Sequence, residues 1–203
     1  ILKELTGSEA IDGYQALAGG NKDRPRAIAR AVFDALGNHI DHYINPPASF
    51  NERIGQKLRP LDQILNDGHG TCLDLACGYA SVLEQAGLHP IVFLSHGHAF
   101  TGVWTTPQTM PQASTDSFAT MINRFETGEI VPVETTLIPK GAGQFDAAVA
   151  HARKEFTERK VECAYCQRLA ANNVPTSDRT HLEAAIDIRV CRQERILPLP
   201  ARV

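Results

Sequence analysis

Apolar residues recur along this chain with two different periods, and the longer period marks the helices. After the Arg24-Pro25 pair they recur every three or four positions, which predicts a helix that ends by Asn45. The apolar positions of this helix are Ile28, Val32, Phe33, Leu36 and Ile40. Residues 72–86 are apolar on nearly every side, as is typical of a helix buried inside a protein. Further helices are predicted over 8–18, 60–65, 117–125 and 145–158.

The shorter period, rich in β-branched and aromatic residues, marks the strands. Residues 89–95 and 98–105 flank a tight turn at His96-Gly97, which favours a β-hairpin. A third strand is predicted over 129–135 and a last one over 184–190. Because helices come first and strands then interleave with helices, the order predicts an α+β fold with a mainly antiparallel sheet.

Composition and charge narrow the class of protein. The chain has 203 residues, of which 43% are hydrophobic and 21% charged, as in ordinary globular domains. The formal net charge of −3 leaves no basic excess for binding nucleic acid, and no apolar run is long enough to span a bilayer.

The chain termini and the cysteines indicate where in the cell the protein is expected to be. Ile1 opens the chain without the pattern of a signal peptide, and the Leu-Pro-Leu-Pro stretch 197–200 is typical of a linker. The five cysteines are an odd number and are unevenly spaced, which favours free thiols in a reducing compartment. We therefore expect a cytoplasmic piece of a longer protein.

Cys72 is a candidate nucleophile because it lies at the start of the buried helix, after a Gly-rich turn. Thr71 is a plausible N-cap, with Asp74 three residues on as in a capping box. The first-turn N–H groups and the helix dipole favour a thiolate at Cys72 and could donate to an oxyanion beside it. Asp74 works against this with its negative charge. The alternative is a small buried core thiol, which is how we interpret Cys77.

A thiol nucleophile needs a base, and that base needs an orienting group. His98 opens the second strand of the predicted hairpin, and Glu134 closes the third predicted strand. If these strands are neighbours in an antiparallel sheet, His98 and Glu134 can lie side by side. Cys72, His98 and Glu134 therefore form a candidate catalytic set.

Three stretches carry a resemblance to a known family: Gly70-Thr-Cys-Leu-Asp-Leu-Ala, His98-Ala-Phe-Thr-Gly-Val-Trp and Val131-Pro-Val-Glu-Thr-Thr. They resemble the transglutaminase-like (papain-like) superfamily, in which a Gly-x-Cys helix start precedes a His-Ala-aromatic strand and a strand ending in Asp-x-Thr. Further stretches resemble more narrowly the transglutaminase-like domain of large bacterial multidomain proteins of helicase type. These stretches are 46–50, 55–60, 185–192 and 197–200.

The resemblance implies a transglutaminase-like domain over residues 46–200, preceded by a helical segment over residues 1–45. It implies Cys72 as nucleophile, His98 as general base and acid, and Glu134, in place of the usual aspartate, as the group that orients the imidazole. Gln56 lies upstream and could donate to the oxyanion, or could be a solvated loop residue. The stretch 105–128 is a candidate cover for the cleft or a determinant of substrate choice. The candidate cleft-lining residues are His69, Thr71, His96 and Trp104.

Three functions stay open at this point. The first is cofactor-free acyl transfer on amides of a protein or peptide, by protease-like hydrolysis, deamidation or transamidation. The second is a non-catalytic module that binds a peptide or another domain of the parent chain. The third is a zinc-dependent hydrolase, drawn from His69, Cys72, His96 and His98.

One further cysteine motif remains. Cys163 and Cys166 have the spacing of a metal or redox pair, but only Cys191 remains for a second pair. We interpret them as two thiols on a helix.

Overall fold

The structure is a computed structural model that describes residues 21–45, 57–95, 97–156 and 182–198. The predicted helix over 8–18, Gln56, His96 and the pair Cys163 and Cys166 lie outside the described residues. The described helices are α1 (Asp23–Gly37), α2 (Leu61–Asp67), α3 (Cys72–Gln85), α4 (Phe118–Glu126), α5, described over 145–156, and α6 (Ile188–Gln193). The strands are β1 (His42–Tyr43), β2 (His69–Gly70), β3 (Pro90–Ser95), β4 (His98–Trp104), β5 (Ser114–Thr115), β6 (Ile130–Val133) and β7 (Leu182–Asp187).

The main sheet has five strands in the order β5-β7-β3-β4-β6, and every neighbouring pair is antiparallel. This confirms the predicted α+β class with an antiparallel sheet. The predicted hairpin forms β3 and β4, with Ser95 opposite His98 at its tip. A separate parallel pair joins β1 to β2, with Tyr43 opposite Gly70.

Helix α3 lies between the sheet and α1, and side chains hold it on both sides. On the sheet side, the Thr101 hydroxyl donates to the Ala76 carbonyl at 2.9 Å. On the other side, the buried Tyr79 hydroxyl donates to the carbonyl of Ala29 in α1 at 2.7 Å. The opposite face of the sheet is apolar too, and Phe93 packs there with Phe100, Phe125 and other aromatic rings. The position of Cys72, the first residue of α3, is therefore fixed by these contacts on both sides of the helix.

Several predicted element ends are wrong, among them the ends of α1, β6 and β7. Helix α1 ends at Gly37, where a Cβ atom would lie 2.8 Å from the carbonyl oxygen of Ile138. Strand β6 ends at Val133, because the Glu134 side chain accepts from the Thr136 N–H and begins a 3-10 turn. Strand β7 ends at Asp187, whose side chain accepts from the N–H of Val190 and caps α6.

Within the described part of the chain, no helix combines the length and the apolar character needed to cross a bilayer.

Candidate active site

Cys72 is the first residue of α3, and a capping box fixes this helix start. The Thr71 hydroxyl accepts from the Asp74 N–H at 3.3 Å, and the Asp74 carboxylate accepts from the Thr71 N–H at 3.0 Å. This confirms the predicted capping pair. The Cys72 side chain has little exposure and packs against Ala99 of β4.

His98 and Glu134 lie side by side at the same end of the sheet as Cys72. The Nε2 atom of His98 is 2.8 Å from the Oε2 atom of Glu134. The second carboxylate oxygen of Glu134 accepts from the N–H and the hydroxyl of Thr136, at 3.0 and 2.7 Å. Since Glu134 is only 1% exposed, its carboxylate has one fixed orientation toward the imidazole.

A side-chain hydrogen bond with the His98 ring acts on the Cys72 thiol, while Nε2 of the same ring contacts Glu134. Burial raises the pKa of this thiol, but the other contacts outweigh it. They are the His98 hydrogen bond, the N–H of Ala99, the positive charge of His98 and the N–H of Leu73. The pKa of Cys72 is therefore lowered, chiefly by His98, and the N–H of Leu73 in the first helical turn adds the smallest of these effects.

The charges of His98 and Glu134 complete this arrangement. Burial lowers the pKa of His98, but hydrogen bonds and negative charge from Cys72 and Glu134 raise it to about 10. Burial raises the pKa of Glu134, but its contacts with His98 and Thr136 bring it below the ordinary value. These shifts favour the thiolate of Cys72, the imidazolium of His98 and the carboxylate of Glu134.

Tyr43 is a residue near this site that the sequence analysis missed. The pairing of β1 with β2 places it opposite Gly70, two residues before Cys72. Its pKa is raised by burial first and then by the negative charges of Cys72 and Glu134. Strand β1 has only two residues and carries no strand pattern, so no sequence signal marks it.

The remaining candidates are placed as follows. The Thr71 side chain is buried in the helix cap beside Cys72. His69 is half-buried in β2, and its Nδ1 atom is 2.9 Å from the carbonyl oxygen of Asp67. Trp104 is not brought to the site, since it ends the seven-residue strand that His98 begins, about 20 Å away along the chain. Its buried indole N–H donates to Asp187 at 3.0 Å.

Residues 105–128 pack into the hydrophobic core around the Trp104 end of β4, the end away from His98. Strand β5 pairs with β7, and α4 buries Phe118, Met121 and Phe125 in the cluster that contains Trp104. The Thr105 N–H donates to the carbonyl of Glu129, which closes the stretch at its base.

Among the described residues, three side chains have metal-binding atoms within 4.8 Å of one another: His98, Glu134 and Glu155. The contact between His98 and Glu134 already accounts for two of them. This group contains neither His69 nor Cys72, so among the described residues His69, Cys72 and His98 do not form a three-ligand metal group.

Comparisons with protein-family models, with curated proteins and with solved structures gave no match for this chain.

Proposed function

We propose that this protein is a cysteine-dependent acyl transferase that acts on amides. Cys72 is the nucleophile, His98 the general base and acid, and Glu134 the residue that orients the imidazole. The observation that carries this proposal is the His98 ring held between the Cys72 thiol and the buried Glu134 carboxylate, 2.8 Å from the latter. A nucleophile, a base within hydrogen-bonding reach and a third group that orients the base are the parts that covalent acyl transfer requires.

The reaction follows from these charges. The Cys72 thiolate attacks the amide carbonyl carbon, and the carbonyl π electrons move to oxygen. The oxyanion then re-forms the carbonyl, the C–N bond breaks, and His98 gives its proton to the departing amine. A thioester remains on Cys72. Neutral His98 next takes a proton from water or an acceptor amine, which attacks the thioester and returns the sulfur as a thiolate. Gln56, outside the described residues, stays our prediction for an oxyanion donor.

We further propose a transglutaminase-like domain over residues 46–200. A helix that starts at the cysteine, a strand that starts at the histidine and an acid that follows the neighbouring strand support this fold. Protein or peptide amides are the proposed substrates, and other domains of a longer parent chain are the proposed partners. The cysteines of the described residues, Cys72, Cys77 and Cys191, are free thiols, which supports a reducing, cytoplasmic location.

The test is the rate of alkylation by iodoacetamide at each cysteine against pH, followed by mass spectrometry. Cys77, five residues further along the same helix, is the internal control because burial and the charge of Asp74 raise its pKa to about 11. We expect Cys72 to react well below the pH range of a free thiol, and Cys77 to stay unreactive there.

The variant His98→Ala removes the imidazolium that favours the thiolate, so Cys72 should then react only at higher pH. A wild-type Cys72 that titrates like a free thiol, or like Cys77, would contradict the proposal. That outcome would favour the peptide-binding alternative, which needs no activated sulfur.

A further inference from the structure

A second buried carboxylate lies at the start of α3, and it belongs to Asp74. This side chain is fully buried. Its Oδ1 atom accepts from the backbone N–H of Arg59 at 2.8 Å, and its Oδ2 atom accepts from the Arg59 guanidinium at 2.8 Å and from the Thr71 N–H at 3.0 Å. Asp74 therefore holds the segment before α2 against the helix start as well as capping the helix.

The charge of Asp74 presents a conflict with the thiolate. It lies two residues from Cys72 in the first helical turn, where a like charge disfavours ionisation of the thiol. The effect of this carboxylate is seen along the same helix, since its negative charge adds to burial in raising the pKa of Cys77. A cation paired with Asp74 would offset this unfavourable effect.

We propose that Arg59 is a positioning residue of the Cys72 site, which pairs with Asp74 and so lets one helix start hold both a capping carboxylate and a thiolate. This inference rests on the proposed function, because it takes Cys72 as the nucleophile. The Arg59 side chain is 27% exposed and the Asp74 side chain 0%, so the ion pair is shielded from water on the side of the acid. Such a pair has a larger effect than one on the open surface.

Other titratable groups surround the sulfur on different elements. His98 acts on it from the sheet, Glu134 and Glu155 lie beside the His98 ring, and Tyr43 on β1 feels the negative charge of Cys72. These groups keep their identity when Arg59 is replaced. A change in Cys72 reactivity on replacing Arg59 therefore reports the balance between Arg59 and Asp74.

The experiment is Cys72 alkylation against pH in Arg59→Met, which keeps the apolar stem and removes the charge. We expect the thiolate fraction at a fixed pH below the midpoint to fall about tenfold, because Asp74 is left without its cation. The double variant Arg59→Met/Asp74→Asn keeps a capping oxygen and removes both charges. It should return Cys72 to the wild-type pH midpoint. A shift of this midpoint in Arg59→Met at unchanged stability to urea is an effect that a purely structural role of the ion pair would not give.

The matched control is Arg192→Met. It removes an arginine of similar exposure that pairs at 2.8 Å with Glu84, near the other end of the same helix. Cys72 reactivity should stay unchanged in this variant.

Unchanged Cys72 reactivity in Arg59→Met, or a double variant as impaired as the single one, would overturn the inference. If Arg59→Met fails to fold, Asp74→Asn alone decides. Easier thiolate formation at Cys72 than in the wild type supports the inference, and unchanged or harder formation overturns it. Failure of the proposed function gives a different result from failure of this inference. Wild-type Cys72 would then titrate like a free thiol, and its titration would be unchanged in His98→Ala.

Discussion

The Glu134 carboxylate reaches the Nε2 atom of His98 along a diagonal of the sheet. Strands β4 and β6 pair Thr101 with Val133, so the same register continued by one residue sets Glu134 opposite Phe100, not opposite His98. The Phe100 ring stacks on the His98 ring, with 6.2 Å between centroids, so the two share a face. Diagonal neighbours on such a face are about 7–8 Å apart, a span that suits glutamate better than the shorter aspartate.

We therefore expect Glu134→Asp to impair the site although it keeps the charge. The shorter side chain cannot hold both Thr136 and the imidazole, and a displacement of about 1 Å can lower an enzymatic rate about 100-fold. The measurement is the rate of Cys72 acylation by p-nitrophenyl acetate. Glu129→Asp, just before the other end of β6, is the control that should react like the wild type. Equal acylation rates in both variants would show that the diagonal contact between Glu134 and His98 has no role in the reactivity of Cys72.

The pH profile of acyl transfer should have a broad plateau. Its acidic limb reports ionisation of Cys72 below the ordinary thiol range. Its alkaline limb reports loss of the His98 proton at about pH 10, because the leaving amine then has no acid. Transfer to an amide substrate, measured from pH 4 to 11, tests both limbs. An alkaline limb near the ordinary histidine pKa of about 6.5 would contradict the ion pair.

The same site should contribute to stability in a defined pH window. The pKa of His98 is raised on folding, so its contribution is fully present below the pKa of an unfolded histidine. It is lost as pH rises toward about 10. Urea unfolding of the wild type and of His98→Ala should therefore converge as pH approaches that value. A constant difference between them would argue against an ionised pair.

Tyr43 offers a test of the site geometry that needs no activity. Its pKa is raised partly by the negative charge of Cys72, so Cys72→Ala should bring the phenol titration down toward the ordinary value. The near-ultraviolet absorbance of tyrosinate measures this, and Tyr43→Phe identifies the signal among the four tyrosines. Cys191→Ala is the control that should leave the titration unchanged. If the Tyr43 titration is the same in Cys72→Ala and in the wild type, the phenol lies farther from the sulfur than the structure places it.

Asp187 is expected to be important for stability and not for chemistry. Its buried carboxylate accepts from the Trp104 indole and from the backbone N–H groups of Met110 and Val190. Asp187→Ala leaves these donors unpaired and should destabilise the protein by about 3 kcal/mol. Chemical denaturation measures this, with Asp146→Ala at an exposed ion pair as the control without a measurable change. Loss of thiolate reactivity without loss of stability would contradict the assignment.

The parts of the site that sequence could predict have local signals. The capping pair Thr71 and Asp74 and the hairpin tip before His98 each involve residues within a few positions of one another. Glu134 could be predicted as a neighbour of His98 because only one strand pairing is needed to bring them together. The capping pair and the hairpin tip depend only on neighbouring residues, whereas the contact between His98 and Glu134 depends on one strand pairing across 36 residues.

The parts that sequence could not predict depend on distant partners. Arg59 contacts a carboxylate 15 residues away, and Tyr43 is positioned by a strand of two residues. The ends of β6 and β7 were missed for a different reason. Carboxylates at Glu134 and Asp187 accept backbone N–H groups and turn the chain, which overrides the β propensity of the threonines and of Ile188 and Val190 that follow.

The anchoring of α3 has a consequence for substrate choice. Hydrogen bonds from Thr101 and Tyr79 hold this helix from the sheet and from α1, so the direction of its first residue is set when the chain folds. In the proposed reaction, the substrate must therefore bring its acyl group to a sulfur whose position is already fixed. Substrate specificity would then depend on the residues around the site that bind and orient the substrate. Changes in those residues could alter specificity without any change in the helix or in Cys72.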